Sequence, residues 1–278
     1  MTITTRDQLI DALGNNSSRF IIDKASIANA VAGGYFSLWR ATGQPGQGAI
    51  PTTTASCNHT TIGSMGFAQQ VSPATSYGGW ANAVCSNHAV TIEVHDRLRH
   101  MGGLNATLTT AQTVALTLNG ITSDNMEQRI GDANFSDVQW WAEWYTDTGA
   151  TASNATVTVT YNDGTTGSLT AFAAGGTVRV GRMIPLNQLI PAAASGKYIR
   201  SIDSVQLSAS TATAGNFGFT CTRPRLTMPL LLANKMEIFD WAQLGFPEIF
   251  NSSCLTIIEL CSTTSTGTVR GGGKIIHG

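Results

Sequence analysis

Two cysteine–histidine pairs are the first residues in this sequence whose types and spacing could do chemistry. Cys57 and His59 stand two positions apart, and Cys85 and His88 stand three apart. Thiolate and imidazole are ligands that zinc prefers, and a structural zinc site takes four of them. However, C-x-H with C-x-x-H is not a common finger pattern, and both pairs fall in loop-like sequence. Two interpretations therefore stay open, a structural zinc site and a chance juxtaposition.

A second group of titratable residues surrounds a short alternating segment. Glu93, His95, Asp96 and His100 include the residue types that exchange protons in general acid–base catalysis. On a strand, Glu93 and His95 share one face, and the alternate positions are apolar. We therefore expect this pair to lie on the solvent side of a strand, where an acid–base role has little support.

The segment from residue 137 to residue 163 combines carboxylates with aromatic side chains. A glycosidase needs two carboxylates that face each other across a cleft, and aromatic rings can stack on sugars. Aromatic clusters also form the packed centre of a sheet, which is the interpretation we favour here. The carboxylates are Asp137, Glu143, Asp147 and Asp163, and the aromatic residues are Trp140, Trp141, Trp144 and Tyr145.

Other catalytic signatures are missing from the sequence. The stretch from Gly63 to Gly66 contains Ser64 but lacks the G-x-S-x-G spacing of a nucleophile elbow. The glycine-rich stretches 43–48 and 271–273 lack the Lys-Ser/Thr of a phosphate-binding loop. We therefore predict that the chain is not an enzyme. We assign it no catalytic, cofactor-binding or metal residues and no cofactor.

The composition indicates a surface made to be covered. Only 12% of the 278 residues are charged, about half of the roughly 25% that is usual in soluble domains, while the hydrophobic fraction is an ordinary 42%. Charge keeps a surface hydrated and separates neighbours, so a chain short of it is expected to pack against other molecules. The net charge of −1 argues against direct nucleic-acid binding.

Targeting signals and cysteine usage favour a protein made in the cytoplasm of its host. The N-terminal residues lack the cationic start and apolar run of a signal peptide, and no stretch of about 18 apolar residues could cross a membrane. The five cysteines, an odd number at wide spacings, are expected to be reduced and mostly buried. They are Cys57, Cys85, Cys221, Cys254 and Cys261.

Local patterns predict mostly strands, with a helix near each terminus. Thr5 and Gln8 form a capping box that begins the first helix, and residues 236–244 have helical spacing. Residues 43–61 predict a long connection or an extended arm, and the glycines 271–273 predict a loose end. Alternation or β-propensity predicts strands at residues 19–23, 90–94, 104–118, 138–145, 155–161, 168–172, 178–180, 202–207, 217–221 and 254–261.

These elements predict an all-β fold, an antiparallel jelly-roll-like sandwich with short terminal helices and an extended N-terminal arm. The predicted ranges are 1–61 for the helix and arm and 62–232 for the sandwich. Residues 233–278 are predicted to form a helix and strand that pack on the same domain.

Several segments resemble a group of virion structural proteins of tailed bacteriophages, and the resemblance extends over nearly the whole chain. They carry packing and turn patterns rather than active-site signatures. The segments are TTRDQLIDAL, GGYFSLWRATGQPGQGAIPT, Glu93–Leu98, LNATLTTAQTVAL, WWAEWYTDTGATASNATVTVTYNDG, Gly181–Leu186, SVQLSASTATAGNFGFT and LCSTTSTGTV.

The resemblance implies a non-enzymatic cement or decoration protein on the outside of the head, commonly trimeric, which binds the major capsid protein and copies of itself. We expect residues 43–61 and the first helix to reach across to a neighbour. One alternative is a tail or fibre component that binds a host-surface glycan through Trp140, Trp144 or another exposed aromatic. A second is a glycan hydrolase that uses Glu143 or Asp137.

Overall fold

The computed structural model describes residues 2–28, 30–87, 89–176, 178 and 180–278, and its fold is all-β with antiparallel sheets. The predicted fold class is therefore confirmed. The helices are short: α1 is Arg6–Asn15 and α2 is Met126–Arg129. The 3-10 helices are Leu38–Arg40, Ser123–Asn125, Asn187–Leu189 and Ala192–Ala194.

Most strands predicted in the middle of the chain are present. However, residues 104–118 contain one strand of their own, at 112–117, rather than the two short strands that the sequence predicts, and residues 169–171 interrupt the predicted strand 168–172. The first nine strands are β1 (Ser17–Lys24), β2 (Tyr35–Ser37), β3 (Gly43–Gln44), β4 (Ala55–Ser56), β5 (Ser76–Cys85), β6 (Val90–Leu104), β7 (Gln112–Thr117), β8 (Gln139–Thr146) and β9 (Asn154–Tyr161). The others are β10 (Thr166–Ser168), β11 (Phe172–Ala173), β12 (Arg182–Pro185), β13 (Ile199–Leu207), β14 (Asn216–Leu230), β15 (Glu237–Asp240), β16 (Glu248–Ile249), β17 (Leu255–Leu260) and β18 (Val269–His277).

The chain divides into two compact units. Unit 1 consists of Met1–Ala49, Cys57–Asp96 and Pro224–Gly278, and unit 2 consists of Ile50–Ser56 and Arg97–Arg223. The predicted ranges 1–61, 62–232 and 233–278 are continuous in the chain. They stay a prediction, since compactness alone does not test which parts fold as domains.

Unit 2 is a β-sandwich around one apolar core. One sheet has the order β10–β9–β13–β7, and the facing strands include β8 and the unit-2 part of β14. The core combines side chains from both layers, such as Val157 and Ile202 from the first and Trp140 and Phe219 from the second. The hairpin predicted around residues 162–164 is present, because β9 pairs with β10.

Unit 1 contains a sheet with the order β15–β5–β18–β1–β3 and a second group in which β17 lies between β2 and the unit-1 part of β6. Strand β1 alternates as its sequence requires. Phe20, Ile22 and Lys24 are buried on one face, whereas Arg19 and Ile21 are exposed on the other. Helix α1 begins at the capping box of Thr5 and Gln8, as predicted.

The segment 43–61 is a long connection rather than an extended arm. The Nζ of buried Lys24 donates to the carbonyl oxygens of Ala41 (3.0 Å) and Pro45 (2.7 Å), which holds the start of the segment against β1. Further along, the Nε1 of Trp39 donates to the carbonyl of Ala49 at 2.8 Å. Residues 45–49 are thus held by the chain's own side chains, and Cys57, further along the segment, is fully buried.

The predicted C-terminal helix at residues 236–244 is wrong, because its first half forms β15, which pairs with β5. Phe239 is buried while Ile238 is 67% exposed, which is strand alternation rather than a helical stripe. Trp241, which a helical apolar stripe over these residues would bury, is 40% exposed. The Asp240 carboxylate then accepts from the backbone N–H groups of Ala242 and Gln243, each at 2.9 Å, and this closes a turn.

The glycines 271–273 do not form a loose end. They lie within β18, which pairs with β1 on one side and β5 on the other. A β-carbon at Gly273 would meet the carbonyl oxygen of Trp80 and the ring of Phe20, so a side chain has no room there. In the predicted strand 178–180, residues 178 and 180 lie outside the strands, and residue 179 lies outside the described residues.

Candidate functional site

The cysteine–histidine pairs gain no support as a zinc site. Cys57 and Cys85 are buried, and His88 lies outside the described residues. The Cys85 Sγ donates to the carbonyl of Thr266 at 3.2 Å, and burial raises the pKa of this thiol to about 11. Among the described residues, no group of three or more His, Cys, Asp or Glu side chains could hold a metal ion.

The predicted solvent position of Glu93 and His95 is wrong. The side chain of His95 is fully buried, and its Nε2 lies 2.7 Å from the Glu93 carboxylate. Asp96 is also buried, and its carboxylate accepts from the Ser253 hydroxyl at 2.8 Å and the Cys254 N–H at 2.9 Å. These contacts satisfy the polar groups inside unit 1, so they account for the residues without catalysis.

A buried charge network forms the most polar part of the interior of unit 2. The Arg97 guanidinium binds the Glu143 carboxylate with two hydrogen bonds, of 2.7 and 3.2 Å, and both side chains are fully buried. The same guanidinium donates to the hydroxyls of Tyr145 (2.9 Å) and Thr220 (3.0 Å) and to the Nδ1 of His100 (3.1 Å). Burial, reinforced by the Glu143 charge, raises the pKa of Tyr145 well above its usual value.

This network excludes Glu143 as a catalytic carboxylate in a cleft. Its two oxygens are held by Arg97, and its side chain is only 1% exposed. Asp137 is bound at 2.8 Å by Arg223, and Asp163 is bound at 2.8 Å by Lys197. Asp147 accepts from the backbone N–H of residue 180 at 2.8 Å. Each candidate carboxylate therefore has a structural partner.

The aromatic cluster is the core of a sheet, as we favoured, and not a sugar platform. The four side chains are at most 2% exposed. The Nε1 of Trp140 donates to the carbonyl of Ile199, and the Nε1 of Trp141 donates to the Thr222 hydroxyl, both at 2.8 Å. Trp140 and Trp144 thus cannot contact a glycan in the folded chain.

Exposed apolar side chains, in contrast, collect on unit 1. Of the twelve large hydrophobic residues that the described part of the chain exposes, ten belong to unit 1 and two to unit 2. Those of unit 1 are Ile10, Ile21, Val31, Ile62, Val71, Leu231, Leu232, Met236, Ile238 and Trp241, and those of unit 2 are Leu108 and Tyr198.

One continuous surface holds two of the most exposed members. We call it the outer face: the side of the β15–β5–β18–β1 sheet that carries Ile21 and Ile238, each 67% exposed. The low charge content indicated such a surface but not its place. The alternation in Arg19–Asp23 is the signal that could have located it. The outer face consists of Arg19, Ile21, Asp23, Trp80, Asn82, Val84, Ile238, Asp240, Arg270, Gly272 and Lys274.

Unit 2 has one hollow with an exposed aromatic ring. Its volume is about 430 Å³, and Tyr198, Lys197 and Asn187 contribute to its lining. Tyr198 is 37% exposed, so its ring is accessible to a ligand. No acidic side chain lines this hollow, which gives it the means to bind but no carboxylate pair for hydrolysis.

Comparisons with known proteins give only a faint likeness. No family model matches the chain, and no curated protein matches it. Among solved structures, T=1 particles derived from infectious bursal virus show a TM-score of 0.18 and 10% identity, over 97% of this chain and 82% of that one. A VP2 subviral particle of infectious bursal disease virus shows a TM-score of 0.16 and 12% identity, over 98% and 84%. Scores this low do not identify a shared fold.

No helix among the described residues is long and apolar enough to cross a membrane.

Proposed function

We propose that this chain is a structural protein of a virus particle and works through its surfaces rather than through an active site. The observation that carries the proposal is the outer face of unit 1, where apolar side chains lie exposed on a chain with few charges. Ile21 and Ile238 stand at opposite ends of one row of this face, and a partner that covers the face would remove both from water. Low charge also limits the desolvation cost when these surfaces are covered.

In its finer form, the proposal is a cement or decoration protein on the outside of a tailed-phage head. Packed DNA pushes outward on the shell, and a protein that binds several shell subunits raises the force needed to separate them. Many modest contacts act together in such a clamp, so avidity supplies the strength. The partners would be the major capsid protein and further copies of this chain, as a homotrimer. The protein would be made in the host cytoplasm and carried on the virion.

We propose an attachment surface other than the one that the sequence indicated. Residues 45–49 are held by hydrogen bonds within the chain, so this part of the segment 43–61 is not a free arm. Removing the residues before Thr61 would also delete β1 and with it Phe20 and Ile22 from the core. Truncation would therefore unfold unit 1, and the outer face becomes the surface to test.

The test places the chain on particles and then disrupts the outer face. Immunogold labelling of particles purified from the producing culture should mark the head surface. Purified chain added to heads that lack it should sediment with them, and Ile238→Asp should reduce the bound fraction at least about tenfold, because it buries a charge at the contact. Leu108→Asp, the same change on unit 2, is the control and should bind normally. Absence of the chain from purified particles would overturn the proposal.

A second candidate is a tail or fibre component that binds a host-surface glycan. The hollow beside Tyr198 favours it, since an exposed ring with nearby polar groups suits a sugar. In that case immunogold would mark the tail tip. Tyr198→Ala would abolish retention on glycans from the host surface, whereas Ile238→Asp would leave it unchanged.

A further inference from the structure

The outer face is built as cross-strand rows, in which directly opposite residues of neighbouring strands share one side of the sheet. The central row is Ile21, Gly272, Asn82 and Ile238, from β1 to β15. It therefore has an exposed isoleucine at each end, with no side chain at the glycine between.

The flanking rows carry the charges. On one side, the row Arg19, Lys274, Trp80 and Asp240 has an exposed cation on β1 and an exposed anion on β15. On the other side, Asp23 faces Arg270, with which it forms an ion pair of 3.1 Å, and Val84 follows. Helix α1 lies against the first of these rows, since the Lys274 Nζ donates to the carbonyl of Leu13 at 2.7 Å.

This arrangement is self-complementary. Two identical sheets packed face to face in the aligned manner are related by a two-fold axis that runs close to the strands or across them. An axis along the strands places Arg19 on the second copy's Asp240, and Ile21 on its Ile238. An axis across the strands places Arg19 on its Asp23, and Ile21 on its Ile21. Both arrangements place Arg19 on a carboxylate and an isoleucine on an isoleucine. The axis across the strands also places Lys274 on the second copy's Arg270, so the axis along the strands gives the better charge complementarity.

We infer that the outer face packs against the outer face of a second copy of this chain. The inference rests on the proposed function, because it names a partner of the same surface, and it replaces the homotrimer of that proposal by a two-fold pair. Association of this kind covers four neighbouring strands, buries both isoleucines and pairs Arg19 with a carboxylate. An isologous contact also closes on itself, so it does not lead to uncontrolled strand addition.

The size of the face sets the expected strength. Four strands about 4.8 Å apart and three rows about 6.8 Å apart cover roughly 400 Å² per copy. This is about half of the roughly 800 Å² per partner that a standard stable interface buries. The pair should therefore form reversibly in solution and become stable where other contacts hold the copies together.

Cysteine cross-linking tests the contact directly, since all five native thiols are buried and give little background. Chains with Ile21→Cys should form disulfide dimers with each other if the axis runs across the strands. If the axis runs along the strands, Ile21→Cys chains should instead form disulfide dimers with Ile238→Cys chains when the two variants are mixed. Leu108→Cys, the control on unit 2, should stay monomeric. Failure of both outer-face variants to cross-link above this control would overturn the inference.

Sedimentation velocity gives an independent measurement of dimer formation. The chain concentration should cover roughly 10 to 500 µM, because an interface of this area implies a weak dissociation constant in that range. The unmodified chain should shift from monomer toward dimer, and Arg19→Asp should weaken the shift at least about tenfold because like charges then face each other. When Asp240→Asn or Asp23→Asn is added to the Arg19→Asp variant, part of the lost dimer formation should return, because the facing negative charge is removed. A monomer throughout this range would overturn the self-contact. If that monomer still binds to heads, the proposed function is supported and only the self-contact is wrong. If dimers form but never bind particles, the self-contact is supported and the proposed function is wrong.

Discussion

The two units of this chain differ in which side chains they bury and which they expose. Unit 2 buries a charged network, with Arg97 and Glu143 fully inside, and exposes only Leu108 and Tyr198 among its large hydrophobic residues. Unit 1 keeps the exposed side chains of Ile21 and Ile238 on an open sheet face. Unit 2 thus places charge in its interior, whereas unit 1 places large apolar side chains at its surface.

The difference teaches that low overall charge need not be spread evenly. A charge buried in an ion pair adds nothing to surface hydration, so Arg97 and Glu143 lower the surface charge still further. Ten of the twelve exposed large hydrophobic residues of the described chain belong to unit 1, and two of these, Ile21 and Ile238, share the outer face. Four changes test this contrast, from the largest effect to the smallest.

Replacing Arg97 by Leu should destabilise unit 2 by about 3–5 kcal/mol, because Glu143 is left buried without its partner. Urea denaturation followed by tryptophan fluorescence measures the loss. The double variant Arg97→Leu with Glu143→Leu should recover most of the stability, since it removes both charges. Equal losses in the single and double variants would show that packing, and not the ion pair, matters at this position.

Glu259 gives unit 1 a pH dependence. Burial raises the pKa of its carboxyl from 4.5 to about 8, so the folded chain keeps this proton over a range in which the unfolded chain has lost it. The stability that it contributes is therefore full below pH 4.5 and falls as the pH rises to about 8. Glu259→Gln should add about 5 kcal/mol at pH 9 and nothing at pH 4. A gain of the same size at both pH values would contradict this account.

Gly273→Ala should destabilise unit 1 by about 1–3 kcal/mol, because the new methyl group would meet the Trp80 carbonyl and the Phe20 ring. Thermal unfolding by circular dichroism would record a lower midpoint. Gly14→Ala is the control, since a β-carbon there meets nothing within 4 Å. If Gly273→Ala were as stable as that control, β18 would not be packed as described.

Thr5→Ala should cost about 1 kcal/mol, the usual loss of a helix N-cap. The Thr5 hydroxyl accepts from the Gln8 N–H at 3.3 Å, which caps the first turn of α1. Thr5→Ser keeps the hydroxyl and should unfold like the unmodified chain. A loss much above this value would mean that α1 supports the outer face as well as its own first turn.

Much of the fold could be predicted because its signals are local. Alternation in β6 and β9, the aromatic run of β8 and the capping box at Thr5 each depend on residues that are near in the chain. The segment 236–244 misled because its apolar residues fit both a helical stripe and, in its first half, an alternating strand. Pairing with β5 decided between them, and sequence periodicity does not report that pairing.

The candidate site was less predictable because its parts are distant in sequence. Arg97 and Glu143 lie 46 residues apart, and nothing near either residue indicates its partner. The outer face needs four strands in register, including a run of glycines that resembles a loop when read alone. The composition predicted that such a surface exists, while only the strand order places Ile21 and Ile238 in one row.

The burial of the cysteine sulfur atoms determines how fast they can be oxidised in air. Dissolved oxygen and peroxides attack thiolates that they can reach, and they convert them to sulfenic acids and mixed disulfides. All five sulfhydryl groups of this chain are enclosed, and Cys85 also holds its proton up to strongly alkaline pH. The thiols of this protein should therefore be oxidised only slowly in air, even when no reducing agent is present.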